Sequence, residues 1–381
     1  MTESRSKWLS SFLFLTMAVS SFVYFEPSPY DLFIIIILFV GFLMSTFSFH
    51  KEMILPLCIL CVFLICNLLS LFFIEELGSS IFFTGITFYL ALTWIGIIGM
   101  GEHIKRTTFQ LIMHGYLLSA FLAAIIGILA YFHLLPYNDF FLMYGRAKAF
   151  FKDPNVFGPF LVMPSLFSLC MAEQKDMTTR KKLLYYSAFL ILAAGIIISF
   201  SRAAWGNFAI SLLIYLVLFK INHVKRRIYT IIFILLVCVP GIFYFIQTPV
   251  VENLLVSRLS YQGYDDDRFG TQIAAFESGL SNPFGIGSGQ SELAFQYSPH
   301  SLYARLFTEN GVIGLLSFFL FFVVSILKAF SHFRNDEAYN GTIYVVIFAS
   351  LIGLAFNSFF VDTLHWRHLW LLLALAWIPQ K

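Results

Sequence analysis

The chain has 381 residues, of which 59% are hydrophobic and only 12% charged, and 47 of them are phenylalanine. A mean hydropathy of +0.82 cannot be hidden inside a water-soluble fold, and a formal net charge of +3 is too small to suggest a nucleic-acid partner. Composition therefore implies an all-α, polytopic membrane protein in contact with lipid.

A membrane-spanning helix needs about 20 mostly apolar residues. In chain order, twelve runs approach that length, near 8–25, 31–49, 53–74, 80–100, 108–133, 154–172, 183–200, 203–219, 228–246, 307–327, 341–360 and 364–379. No alternating barrel pattern is visible, so helices are expected throughout. Arg5 and Lys7 precede the first run, and Ala18-Val19-Ser20 has the look of a cleavage site. The apolar stretch continues to Phe25, which favours a retained anchor. Cys58, Cys61, Cys66, Cys170 and Cys238 all lie inside apolar runs and read as packing rather than as a disulfide framework or zinc site.

Most Lys and Arg fall on one side if both termini are cytoplasmic. The exceptions are Arg146, Lys148, Lys152, Arg202, Arg258, Arg268, Arg305 and Arg367, which this topology places outside. Arg202, in IIISFSRAAWGNF, then sits at the outer end of a tight helical hairpin. At mid-membrane a cation costs about 2.5–3.5 kcal/mol on the lenient insertion scale. Two long outer connections stand out. One, 134–153, carries Arg146, Lys148 and Lys152 ahead of Asp153-Pro154, a pair suited to starting a helix. The other, 247–298, is long enough to serve as a functional cap. Within it Phe269, Ile273, Phe276 and Leu280 share one helical face, with Asp265-Asp266-Asp267 capping the start and Arg268 in the first turn.

Cations gathered at a lipid boundary suit an anionic substrate, and Arg grips phosphate with two parallel hydrogen bonds. Arg202 and Arg268 lead this set as catalytic candidates, with Arg146, Lys148, Lys152 and Arg305 as substrate-binding contributors. The competing role for each is snorkelling to lipid phosphates. His300, in YSPHSLYARLFTENGVIGLL, is the histidine best placed to act as a general base. Ser298 is expected to cap the following helix and Pro299 to enter its first turn. His365 and His368 read as interfacial. GIGSG at 285–289 follows Asn282-Pro283 with no strand before it, so loop turns are favoured over a nucleotide cradle.

Four stretches, GRAKAFFKDPNVFGPFL, SFSRAAWGNFAISLL, DDRFGTQIAAFESGLSNPFGIGSG and PHSLYARLFTENGVIGLL, together resemble the O-antigen ligase and polymerase family of bacterial envelope proteins, over roughly 145–370. The resemblance implies a GT-C-type bundle in the bacterial inner membrane. It also implies metal-independent transfer of glycan from a polyprenyl-diphosphate carrier to a glycan or lipid acceptor at the extracytoplasmic face, with no cofactor. By the same resemblance, the family's Ser-Arg arginine falls on Arg202, its loop arginine on Arg268 and its histidine on His300. The family commonly has Asn after that histidine, where this chain has Ser301. Residues 1–133 form N-terminal transmembrane helices without a family motif, and 134–381 form the transferase-like core. The alternative from another class is a lipid-linked glycan flippase or other transporter, whose mark would be mid-membrane charges on paired, interrupted helices; no such pair is visible in the sequence. A cell-wall transferase of the shape, elongation, division and sporulation class is a second enzymatic alternative.

Overall fold

The computed structural model describes residues 3–175, 177–218, 224–247, 263–335 and 340–378, and these are almost wholly helical. Arg258, the rest of 248–262, and Lys381 lie outside the described residues. In the first third run α1 (Glu3–Ala18), α2 (Pro29–Leu43), α3 (Ile54–Leu69), α4 (Leu77–Gly99) and α5 (Arg106–Tyr131). A single turn, α6 (Asn138–Phe141), leads into a two-stranded hairpin, β1 (Leu142–Met143) and β2 (Arg146–Ala147). Then come α7 (Pro154–Ala172), α8 (Thr179–Ile198), α9 (Arg202–Val217), α10 (Val224–Phe233) and α11 (Val239–Ile246). The last third holds α12 (Gly263–Ser281), the single turn α13 (Ser291–Ala294), α14 (Leu302–Asn335), α15 (Asn340–Asn357) and α16 (Arg367–Leu375).

Each expected apolar run contains a helix among the described residues, though 19–25 and 44–49 lie outside the helices. By length and composition, six described helices can cross a membrane: 51–73, 77–99, 106–131, 154–172, 179–198 and 302–335. Residues 8–18, 29–43, 202–217 and 343–357 form shorter apolar helices. Phe39, Phe42, Phe72, Leu183 and Leu213 are each more than half exposed, a surface that only lipid tolerates. The chain is thus a polytopic helical membrane protein.

Two elements are buried all round, as helices at the centre of a bundle should be. They are α7, which packs against α5, α8, α9 and α15, and the short α16, which packs against α4, α14 and α15. Asp153 caps α7 by accepting from the Asn155 N–H at 2.7 Å, with Pro154 in the first turn, as the Asp-Pro pair predicts. Gly158 lets α7 approach the α8–α9 turn, since a Cβ there would lie 2.7 Å from both Ala204 Cβ and Ser199 Oγ.

Hydrogen bonds and ion pairs tie one set of connections together at one end of the bundle. Val23 N–H donates to Phe150 O (3.3 Å), Arg146 Nε to Ser199 O (2.9 Å) and Leu302 N–H to Ser358 O (2.9 Å). Gln290 Nε2 donates to Glu76 O (2.8 Å), joining the 282–301 segment to the start of α4. At the other end, Ser48 N–H donates to Gly99 O (2.8 Å) and His50 meets Glu102 (2.8 Å).

The small hairpin departs from the all-helical expectation. Its turn residues Tyr144 and Gly145 have φ of 51° and 72°, the left-handed pair that a two-residue hairpin of this twist requires. A second departure is an interruption of α14 at Gly311 (φ 71°, ψ −176°). The segment 283–287 plugs it: Ile286 N–H donates to Thr308 O (2.9 Å), Gly287 N–H to Glu309 O (3.1 Å) and Val312 N–H to Pro283 O (3.3 Å). A Cβ at Gly311 would lie 2.0 Å from Pro283 O, so this approach needs glycine. The glycines of NPFGIGSG therefore serve a backbone plug in a broken helix.

Candidate active site at one end of the bundle

Arg146, Arg202 and Arg268 line one cavity of about 270 Å³. Arg146 is carried by β2 and is buried. Its Nε donates to Ser199 O (2.9 Å) and its Nη2 to Asn155 Oδ1 (2.9 Å), so one side chain fastens the hairpin, the start of α7 and the α8–α9 turn. Arg202 opens α9. Ser201 caps that helix by accepting from Ala204 N–H (3.3 Å), and Phe200, at φ 46°, turns the chain between the two helices. Arg202 is itself exposed toward the cavity, at the helical-hairpin end where the sequence places it.

Arg268 comes from α12. The described helix begins at Gly263, so Asp265, Asp266 and Asp267 lie inside its first turns instead of preceding it, and Arg268 lies in the second turn, a correction to the expected cap. Arg268, Gln272, Ala275 and Gly279 follow one another at helical spacing. Ala275 is fully buried, its carbonyl accepting from Thr308 Oγ1 (2.6 Å), and Gly279 abuts Phe307. Ile273 and Leu280 are 62% and 75% exposed on the outward side. Phe269 joins Phe200, Phe356 and Phe360 in lining the cavity. Such apolar walls lower the local dielectric and strengthen each charge.

His300 is not among the residues that line this cavity; it lies in the segment before α14, close enough to Arg268 for that charge to act on its ring. Gln272 Nε2 donates to its backbone carbonyl (3.1 Å), joining it to the helix that bears Arg268. The residue keeps solvent access, yet surrounding protein burial, then the Arg268 charge, hold its pKa below the ordinary imidazole value, against opposing pulls from Asp153, Asp362 and Glu292. That direction favours the neutral, proton-accepting form. Helix α14 begins at Leu302, three residues later than the expected start after Ser298-Pro299, and Ser301 Oγ accepts from Ala304 N–H (3.4 Å) as its cap. Ser, like Asn, is a preferred residue at such a cap.

The remaining predicted cations lie elsewhere. Lys148 is buried, with its ammonium 4.6 Å from the Tyr24 ring centre, and burial lowers its pKa. Lys152 pairs with Glu26 at 3.0 Å. Arg305 is enclosed, with its Nη1 2.6 Å from Asp362 and 3.5 Å from Glu292, its Nε 3.1 Å from Glu309, and its guanidinium over the Phe83 ring. Burial would raise the Asp362 carboxyl, but Arg305, His365 and the Leu364 N–H together leave its pKa lowered. His368, expected at the interface, is buried against Phe160 and Trp366, and His365 bonds Thr87 Oγ1 at 3.0 Å. Among the described residues no three His, Cys, Asp or Glu converge as metal ligands.

Sequence reasoning passed over Asn155, Gln272, Glu309 and Asp362. Gln272 and Glu309 were findable, each four residues beyond a singled-out arginine and so on its helical face. Asp362 reaches Arg305 from 57 residues away and left no local signal.

The described residues thus form a helical membrane bundle with a cavity lined by three arginines at one end. Residues 187–319 match the family model described as O-antigen ligase. That matched segment, about a third of the chain, contains Arg202, Arg268 and His300 and is similar to the O-antigen ligase family. The GRAKAFFKDPNVFGPFL stretch lies before the matched segment. No curated protein matches the chain.

Proposed function

We propose that the protein transfers a glycan from a polyprenyl-diphosphate carrier to an acceptor hydroxyl at the extracytoplasmic face, without a metal. In this reading the chain spans a bacterial inner membrane twelve times in a GT-C-type arrangement with both termini cytoplasmic, and the cavity faces outward. The observation that carries the reading is the meeting of Arg146, Arg202 and Arg268 on one cavity, with His300 linked to the Arg268 helix through Gln272.

In the reaction, Arg202 and Arg268 hold the diphosphate and offset the charge that develops on it as the sugar leaves. Arg146, already fixed by Ser199 and Asn155, orients the α8–α9 turn and contributes charge from the cavity wall. His300 accepts the proton of the acceptor hydroxyl as that oxygen bonds to the anomeric carbon. The bond from the anomeric carbon to phosphate breaks, and the carrier departs as the diphosphate. The activated carrier bond drives the step.

A flippase would use the same cations to carry lipid-linked glycan unchanged, and the break at Gly311 is the one feature that leans toward it. That break is filled by hydrogen bonds from 283–287, and the nearby Arg305 is locked among carboxylates, which favours a fixed scaffold. The test is complementation of a deletion strain. Wild-type protein should restore extended or ligated envelope glycan, and His300→Ala at equal membrane level should leave carrier-linked material unused. Full restoration by His300→Ala removes the histidine from the reaction.

A further inference from the structure

A second cavity, of about 140 Å³, lies on another face of α7, where Val156 and Phe160 line it while Asn155 lines the cationic one. Its charges are matched. Lys152 pairs with Glu26 at 3.0 Å, and Arg367 pairs with Asp31 through two contacts of 2.7 Å, with Glu26 3.7 Å away. Two cations against two carboxylates leave no excess positive charge for a phosphate. Hydrogen-bonding capacity remains on the wall, because Tyr30 (1% exposed) and His368 (6% exposed) line the cavity. Tyr30 Oη and His368 Nε2 are buried with no hydrogen-bond partner among the described residues. Buried polar atoms are normally satisfied, so two on one wall point to a missing partner. Trp366 and Phe160 supply flat apolar surface beside them.

Neutral hydroxyls offered to a carboxylate, an imidazole and a phenol, with aromatic faces beside them, are the chemistry of sugar recognition. We propose that this chamber binds one neutral sugar ring of the transferred glycan through its hydroxyls, separately from the cavity that takes the diphosphate; the proposal rests on the glycan-transfer reading. Glu26, His365 and Arg367 also line an apolar groove of about 540 Å³ between α2 and α4, walled by Ile35, Ile81 and Phe82. The sugar therefore has two possible sources, a soluble glycan end or a lipid-borne unit arriving along the groove.

Tryptophan fluorescence of the full-length protein in lipid vesicles tests this. The host's envelope oligosaccharide repeat is titrated free of lipid, and separately still attached to its polyprenyl diphosphate, with Trp366→Phe protein defining the Trp366 signal. Tyr30→Phe removes only a hydroxyl that has no hydrogen-bond partner among the described residues, so it should fold with an unchanged melting temperature. The expected result is saturable quenching that is absent in Trp366→Phe and at least five-fold weaker in affinity in Tyr30→Phe. Binding of the free repeat identifies a soluble glycan end, and binding of the carrier-linked form alone identifies a lipid-borne unit. No saturable quenching by either ligand, or equal affinity in wild type and Tyr30→Phe, overturns the chamber. Arg202→Ala protein separates the two proposals, since it should fail to transfer yet bind the repeat normally. Transfer surviving Arg202→Ala would sink the proposed function while leaving the chamber intact.

Discussion

Arg305 and a set of three other arginines at the same end of this bundle have opposite fates. Arg305 is enclosed by Glu292, Glu309 and Asp362 and stacked on Phe83, so its charge is consumed in holding α14, α13 and the 358–366 segment together. Arg146, Arg202 and Arg268 line an open volume of about 270 Å³ into which a ligand can enter. Residue type does not separate them. Space does: a buried guanidinium surrounded by carboxylates is architecture, and one that fronts a cavity can meet a ligand there.

The sharpest way to break the comparison is to remove the groups at the cavity. His300→Ala should lower glycan transfer by roughly 10²–10⁴-fold, the usual worth of a positioned acid or base, with membrane abundance and melting temperature retained. Arg202→Ala and Arg268→Ala should each cost about 10²–10³-fold in turnover, the scale of losing one donor to developing charge. Lys at either position should restore only part of it, because an ammonium lacks the planar fork. Arg305→Ala should behave differently. It strands Glu309 and Asp362 without their cation and should destabilise the protein by about 3–5 kcal/mol, read as a lowered melting temperature in detergent or lipid. If Arg305→Ala kept full stability and lost turnover alone, the distinction between the groups would fail.

Two smaller effects refine the picture. Ser301→Ala should cost about 1 kcal/mol by removing the α14 cap, and Ser301→Asn should cost almost nothing. For pH, His300 must be neutral to accept a proton, so transfer declines as pH falls through its pKa. Burial and the Arg268 charge lower that pKa, which places the acid limb of kcat/KM below the ordinary imidazole range near about 6.5. Arg268→Gln removes a cation, raises the His300 pKa and should shift the residual activity's acid limb to higher pH. A shift to lower pH would show that Arg268 does not act on His300.

The helices were legible because each apolar run is long and bounded by charges or by caps such as Asp153-Pro154. Arg202 stands out in the sequence as a cation beside hydrocarbon and Arg268 as the cation opening an amphipathic stretch in the long connection, and the structure brings both onto one cavity. The hairpin was harder to see, since two-residue strands around Tyr144-Gly145 leave almost no alternation. The break at Gly311 was hidden because its compensating hydrogen bonds come from 283–287, and nothing within α14's own apolar stretch signals them. From sequence alone Arg305 reads as a contributor to binding, and the structure encloses it among carboxylates. Its partner Glu309 is local, but Asp362 is brought in by the packing of α14 against α15. The Asp31–Arg367 pair spans 336 residues and could be seen only once the bundle had closed.

The most direct measurement follows a lipid-linked oligosaccharide through vesicles containing the purified protein and an acceptor. Wild-type protein should consume the oligosaccharide and release free polyprenyl diphosphate. The Arg202→Ala, Arg268→Ala double variant, equally abundant and equally stable, should leave it intact. If the wild type carried the oligosaccharide across the bilayer unchanged, or the double variant consumed it at the wild-type rate, the cationic cavity would not be the site of glycan transfer.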